Sequence, residues 1–321
     1  MASVLKEAYF RDEQAAFAAL ESIMWPEGKP PHCPHCGVAD KCNKLAPQKS
    51  KPSKRNPNGK PVYGLWKCYA CRGQFTVRKG TIFEESRLEL HLWFQAAFLM
   101  CSSKKGVSAN QLHRTLGCTL KTAWFLAHRL REAMAEGALN PFGLGGGAVE
   151  SDETFLSRRR RKGDPSLHGQ PKMKVLTLID RETGQAKSTV IQNLRQDTLL
   201  RIIDKNVSRE ARIMTDQAAY YRYAFGAYAG HETVDHSKEE YVRGDAYTNT
   251  CEGYFSLFKK GMKAVYQHCD EKHLHRYLAE FDFRYNHRIA NGMDDVTRTR
   301  HALVGAKGKR LTYQNAGGSF S

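Results

Sequence analysis

The chain of 321 residues has no apolar run long enough to cross a bilayer; the longest, around Leu92 to Met100, is short and lies among charged residues. The start, M-A-S-V-L-K-E-A-Y-F-R-D-E, lacks the apolar core of an export signal. A paired disulfide framework is also missing. There are nine cysteines, an odd number, and five of them (Cys42, Cys101, Cys118, Cys251 and Cys269) are scattered. Such usage points to a reducing cytosol and metal-bound thiolates. Acidic residues are few: 33 Asp+Glu stand against 50 Lys+Arg, for a net charge of +17. A surplus of that size favours a polyanionic partner, because neutralised phosphates release counterions.

The remaining four cysteines form C-P-H-C at Cys33–Cys36 and C-Y-A-C at Cys68–Cys71. Two such pairs can clamp one Zn²⁺ with four thiolates. His32, His35 and Cys42 could substitute as ligands, but beside a complete set of four they read as bystanders. The stretch between the pairs, residues 43–61, is rich in Lys and Pro, cannot build a core, and is expected to be a mobile basic loop. Residues 1–82 therefore read as an amino-terminal helix, Phe10 to Met24, followed by a small metal module.

Residues 83–140 read as helical. V-S-A-N-Q-L-H-R-T-L-G and C-T-L-K-T-A-W-F-L-A-H-R-L-R-E-A-M give a short helix, a turn at Gly117 and a second helix with Thr119 near its start. That is helix-turn-helix grammar, although a plain helical hairpin has the same pattern. In the second helix Ala123, Ala127, Leu130 and Met134 form the buried stripe. Lys121, Thr122, His128, Arg129 and Arg131 remain for other faces, and Lys121, Thr122 and Arg129 are the candidates to meet DNA in the major groove. The adjacent metal module and the charge favour that reading. Asn140–Gly147, N-P-F-G-L-G-G-G, reads as a linker.

Residues 148–290 hold three acids in distinct settings. Asp152 lies in a strand, Val149–Phe155, whose alternation puts Glu150, Asp152 and Thr154 on one face. Asp216 closes the run A-R-I-M-T-D, and Glu252 opens a helix. Two acids ending strands with a third on a later helix is how a ribonuclease-H-like fold gathers carboxylates around Mg²⁺ or Mn²⁺. The expected order is β-β-β-α-β-α-β-α, with a hairpin turn at Glu182–Gly184, a helix from Asp197 to Asn206, an aromatic helix carrying Tyr220, Tyr221, Tyr223, Phe225 and Tyr228, and a strand in H-E-T-V-D-H. At 100° per residue Glu252, Ser256, Lys259 and Lys263 share one helix face and Cys251, Phe255, Phe258 and Met262 another. Lys259 could hold a phosphate beside the acids. Asn249 could reach the site or cap the helix, and Asp245 could replace Glu252 as third acid. Residues 291–321 read as a tail.

At these residues the chain resembles the DDE-type insertion-sequence transposases of the ISXO2-like family. The matching segments run from W-P-E-G with C-P-H-C-G through K-G-T-I-F-E-E-S, L-G-C-T-L-K-T-A-W, V-E-S-D-E-T-F and I-M-T-D-Q-A-A-Y-Y. Y-T-N-T-C-E-G-Y-F-S-L-F-K-K-G and K-H-L-H-R-Y-L-A-E-F-D-F-R-Y-N-H-R follow. The resemblance implies an α/β chain: a ribonuclease-H-like catalytic core preceded by a zinc ribbon and a helix-turn-helix. It implies Asp152, Asp216 and Glu252 as the acids, with Lys259 as the accompanying lysine. The implied partners are double-stranded DNA, both element ends and target, and further copies of the chain on that DNA, in a prokaryotic cytoplasm at the nucleoid. A DNA-binding regulator that no longer cuts, or a nuclease without strand transfer, is the alternative activity.

Overall fold

The structure is a computed structural model. It describes all residues except 1–2, 53, 55–56, 138, 158–171, 217, 219–220, 222–224, 235–246, 268 and 313–321. The chain divides into two compact units. The first comprises residues 1–103, 108–134 and 295–321; the second comprises 104–107 and 135–294.

In the first unit α1 spans Glu13–Met24. Asp12 caps it by accepting from the Ala15 N–H at 2.7 Å, and it ends at Trp25, before Pro26. Five short strands follow: β1 (Cys42–Lys44), β2 (Gln48–Lys49), β3 (Pro61–Val62), β4 (Trp66–Cys68) and β5 (Gln74–Phe75). β1, β4 and β5 form an antiparallel sheet in the order β1-β4-β5. Glu21 ties α1 to it, accepting from the Trp66 indole at 3.0 Å and from Lys44 at 2.5 Å. β2 and β3 pair as a separate antiparallel ribbon inside the Lys/Pro segment. That segment has backbone order without a core, since none of its described residues from 48 to 62 is buried.

Three helices complete this unit's middle: α2 (Leu90–Ser102), α3 (Ala109–Leu116) and α4 (Leu120–Met134). Ser108 caps α3 through the Gln111 N–H at 3.1 Å. Gly117 ends it at φ 65°, a left-handed conformation that glycine adopts without strain. Thr119 then caps α4 through the Thr122 N–H at 3.2 Å.

The second unit is built on a five-stranded sheet. Its strands are β6 (Ala148–Leu156), β7 (Met173–Asp180), β8 (Ala186–Ile191), β9 (Arg212–Asp216) and β10 (Gly230–Val234), in the order β10-β9-β6-β7-β8. β6, β7 and β8 are an antiparallel meander; β9 and β10 run parallel to β6 and to each other. α5 (Gln196–Asn206) links β8 to β9 and buries Leu199 and Ile203 against Val149, Leu176, Leu178 and Ile213. α6 (Asn249–Gly261) continues into a wider turn at Met262–Tyr266 and is followed by α7 (Glu271–Asn286). These two helices pack on Met173, Val175, Ile179 and Ala186.

Two expectations need correction. Asn140–Gly147 is no bare linker: Phe142 is 2% exposed, bridges to Val207, and packs into the core beside α5. One aromatic side chain fixes a segment otherwise rich in glycine. Residues 291–321 are not merely a tail, because α8 (Asp295–Val304) packs in the first unit. Arg298 there donates to the Cys101 carbonyl at 2.8 Å, and Thr81 bridges to Lys307. α8 escaped notice because it buries Arg298 and Thr299 along with Ala302 and Leu303, so its inward face is half polar. Of the aromatic segment, Tyr221, Phe225 and Tyr228 are core side chains, while Tyr220, Tyr223 and most of the expected helix lie outside the described residues.

Candidate active site

Two clusters carry the chemistry. In the first unit the thiols of Cys33, Cys36, Cys68 and Cys71 all lie within 4.8 Å of one another. Cys33 Sγ is 3.8 Å from Cys71 Sγ, and Cys36 Sγ is 3.7 Å from Cys68 Sγ. A tetrahedron with Zn–S bonds of about 2.3 Å has edges of about 3.8 Å, so the four sulfurs fit one zinc ion. The Cys71 N–H, together with that of Ala70 and against the effect of burial, holds the Cys68 thiol down at about 6. Cys42, buried beside Cys68, is pushed up to about 11 and stays a neutral neighbour. The His35 ring faces the Gln74 carbonyl at 3.3 Å, away from a ligand role.

In the second unit the acids come together through strand register. Ala148 pairs with Arg212 and Glu150 with Met214, an offset of 212 − 148 = 64 residues. Asp152 and Asp216 are separated by 216 − 152 = 64 residues, so they stand level on neighbouring parallel strands, just beyond the last β6–β9 pair. Burial pushes the Asp152 carboxyl up to about 7, and the charges of Asp216 and Glu252 push the same way. The Glu153 N–H, at 2.7 Å, and the Lys259 ammonium oppose them. These four groups therefore share one electrostatic neighbourhood. Their chemistry fits a hard divalent cation: burial and the neighbouring acids disfavour the charged form of Asp152, and a divalent ion held by the carboxylates would favour it. Among the described residues, however, the four thiols are the one group of three or more metal-binding side chains with all donors within 4.8 Å; the carboxylates are more widely spread.

The face reading of α6 matches its burial. Cys251, Phe255, Phe258 and Met262 are buried, and Glu252, Ser256, Lys259 and Lys263 are exposed. Asn249 is the exposed first residue of α6, and no side chain at the preceding Thr248 caps the helix. The cap comes from Glu150, which accepts from the Thr250 and Cys251 N–H groups, each at 3.0 Å. Strand phase had put Glu150 beside Asp152 but gave no hint of this contact. Asp216 accepts from the Ala218 N–H at 3.1 Å. Asp245 lies outside the described residues.

On α4, Lys121 is exposed and Thr122 half-buried, with Leu120 and Trp124 exposed beside them. Arg129 does not belong with them. It is 6% exposed, and its guanidinium donates to the carbonyls of Ile82, Glu84 and Leu311 at 2.7, 3.0 and 3.0 Å. His128 and Arg131 are buried as well. A strict apolar stripe misjudges this helix, because it is covered on several sides and arginine can bury its stem when carbonyls receive its N–H groups.

Two family models match the chain in succession. The transposase zinc-ribbon domain matches residues 11–74, and the ISXO2-like transposase domain matches residues 144–286. The chain carries a transposase zinc-ribbon domain and an ISXO2-like transposase domain. The thiol cluster is thus the metal centre of the zinc ribbon, and β6, β9 and α6 lie inside the transposase domain. A relative from Halobacterium salinarum, described as an uncharacterized protein in transposable element ISH50, is 24% identical over 290 residues. That match spans 86% of this chain and 91% of the relative. A solved structure of a simian T-cell lymphotropic virus intasome with a PP2A regulatory subunit, B56 gamma, matches 53% of this chain and 67% of that one. Its identity is 16% and its TM-score 0.28, too slight a likeness to bear on the fold. Among the described residues, no helix is long and apolar enough to cross a membrane.

Proposed function

We propose that this transposase-family chain binds the double-stranded ends of its own element, cuts them, and joins the freed ends to target DNA. Hydrolysis of a phosphodiester would free a 3′-hydroxyl. That hydroxyl would then displace a 3′-oxygen in the target strand, forming one phosphodiester as another breaks. Asp152, Asp216 and Glu252 would hold a pair of Mg²⁺ or Mn²⁺ ions in a ribonuclease-H-like core. Bound there, such ions would supply an activated attacking oxygen and stabilise the departing one. Lys259, on the exposed face of α6 with Glu252, would hold a phosphate near the scissile bond. Asn249, at the exposed start of the same helix, would contact the substrate strand.

One observation carries this reading: the β6–β9 register puts Asp152 and Asp216 level on adjacent strands, with Glu252 and Lys259 on the exposed face of α6. The helix pair α3–α4 would act as a helix-turn-helix, with Lys121 and Thr122 meeting DNA, and the +17 charge supplies the background attraction. Copies of the chain would assemble on the paired ends, at the nucleoid of a prokaryotic cytoplasm.

The test is a labelled duplex carrying the element end, incubated with the full chain and Mg²⁺. Nicked ends and joined products support the proposal. Nicking without joining would make the chain a nuclease, and binding without nicking would make it a regulator.

A further inference from the structure

Glu150 has no exposed surface, yet no metal or substrate role falls to it. It lies two residues before Asp152 on β6 and accepts four hydrogen bonds. They come from Arg181 Nε at 2.7 Å, Thr250 Oγ1 at 2.7 Å, and the N–H groups of Thr250 and Cys251. Those two N–H groups are at the open start of α6, where a helix has no internal acceptors and carries partial positive charge. The residue after Cys251 is Glu252. Arg181 balances the buried charge, stacks on the Tyr247 ring at 3.5 Å, and donates to the Tyr247 carbonyl at 2.5 Å. One buried carboxylate thus joins the strand bearing Asp152 to the helix bearing Glu252 and to the backbone leading into it.

We propose that Glu150 is the positioning residue of the acid site: it clamps the start of α6 to β6 and so fixes where Glu252 stands relative to Asp152. The inference rests on the transposase reading of the three acids. The three carboxylates repel one another, and they come from elements that no ligand thiol or short loop holds together. A rigid clamp beside them limits that spread, and groups that orient metal ligands in this way typically change metal affinity or activity by about 10- to 100-fold when removed.

The test uses the full zinc-loaded chain with Glu150→Gln, which keeps the length but loses the charge and sets an amide NH₂ against N–H donors. Mn²⁺ binding is followed by electron paramagnetic resonance without DNA, and cleavage of the element end is followed in Mg²⁺. The expected result is Mn²⁺ affinity and kcat each lower by about 10- to 100-fold, with KM for DNA within about twofold. Thr250→Val removes one of the four bonds without touching the backbone donors. It should shift both readouts in the same direction by about threefold to tenfold, and it decides the matter if Glu150→Gln does not fold. Wild-type Mn²⁺ affinity and kcat in a folded Glu150→Gln, or in Thr250→Val when the first is unfolded, would overturn the inference. Failure of the unaltered chain to bind Mn²⁺ or to cut would instead overturn the proposed function.

Discussion

The thiol cluster and the acid cluster solve the problem of gathering like-charged ligands in opposite ways. Each C-x-x-C pair is local, so its turn brings two sulfurs together and supplies N–H groups that favour the thiolate, as at Cys68. Sheet pairing then has only to join two turns, and Cys42 on β1 stands opposite Cys68 on β4. The acids lie 64 and 36 residues apart (216 − 152 and 252 − 216) on two strands and a helix. Their convergence depends on strand register and on the docking of α6, and it works against both desolvation and mutual repulsion. A four-thiol site can be read from spacing alone; a carboxylate set spread over two strands and a helix needs a scaffold that spacing does not reveal.

The sharpest break in the comparison is at the acids. Asp152→Asn, Asp216→Asn and Glu252→Gln should each lower cleavage and joining by about a thousandfold or more, since each removes a ligand anion. Binding to element ends, measured by gel shift, should persist. Asp245→Asn should be mild, and loss of cleavage there with retention in Glu252→Gln would move the third acid to Asp245.

At the other cluster, elemental analysis should give about one zinc per chain. Cys33→Ser or Cys71→Ser should abolish it and expose residues 1–82 to protease, while α6 and its sheet keep their hydrogen-exchange protection. A fully protected ribbon in chelator would contradict the assigned role of the metal.

Two basic residues on α4 sharpen the contrast between surface and core. Arg129→Ala strips donors from three carbonyls, those of Ile82 and Glu84 in buried bonds, and should lower stability by about 3 kcal/mol in chemical denaturation. Lys121→Ala should leave stability unchanged, weaken DNA binding, and reduce the salt slope by about 0.9. The reverse outcome would return Arg129 to the DNA-facing set.

A pH effect concerns Asp282, which burial pushes from 3.8 to about 7 despite accepting bonds from Tyr254 and Ser188. The folded chain holds this proton more tightly than the unfolded chain, so its contribution to stability is greatest below pH 4 and falls as pH rises towards 7. Asp282→Asn should flatten part of that fall in denaturation curves taken across this range; an unchanged slope would rule Asp282 out as its source.

Much of the framework was legible. The β6–β8 meander, α5, β9 and β10 follow alternation and apolar runs, and the buried face of α6 follows its 100° spacing. The unread parts share one cause: polar groups satisfied by partners distant in sequence. Arg129 is buried because carbonyls at Ile82, Glu84 and Leu311 receive it. α8 is held through Arg298 and Cys101, 197 positions apart. Glu150 caps a helix 100 residues downstream. Nothing local marks any of these, whereas Phe142 in its glycine-rich segment was a signal that an isolated aromatic residue can give.

The most direct measurement of the central claim is a crystal structure of the full chain with an element-end duplex and Mn²⁺, read by anomalous scattering. Manganese density bounded by Asp152, Asp216 and Glu252, with Lys259 on the adjoining phosphate, is the expected result. Density elsewhere, or at Asp152 and Asp216 with Glu252 turned away, would contradict the three-acid site.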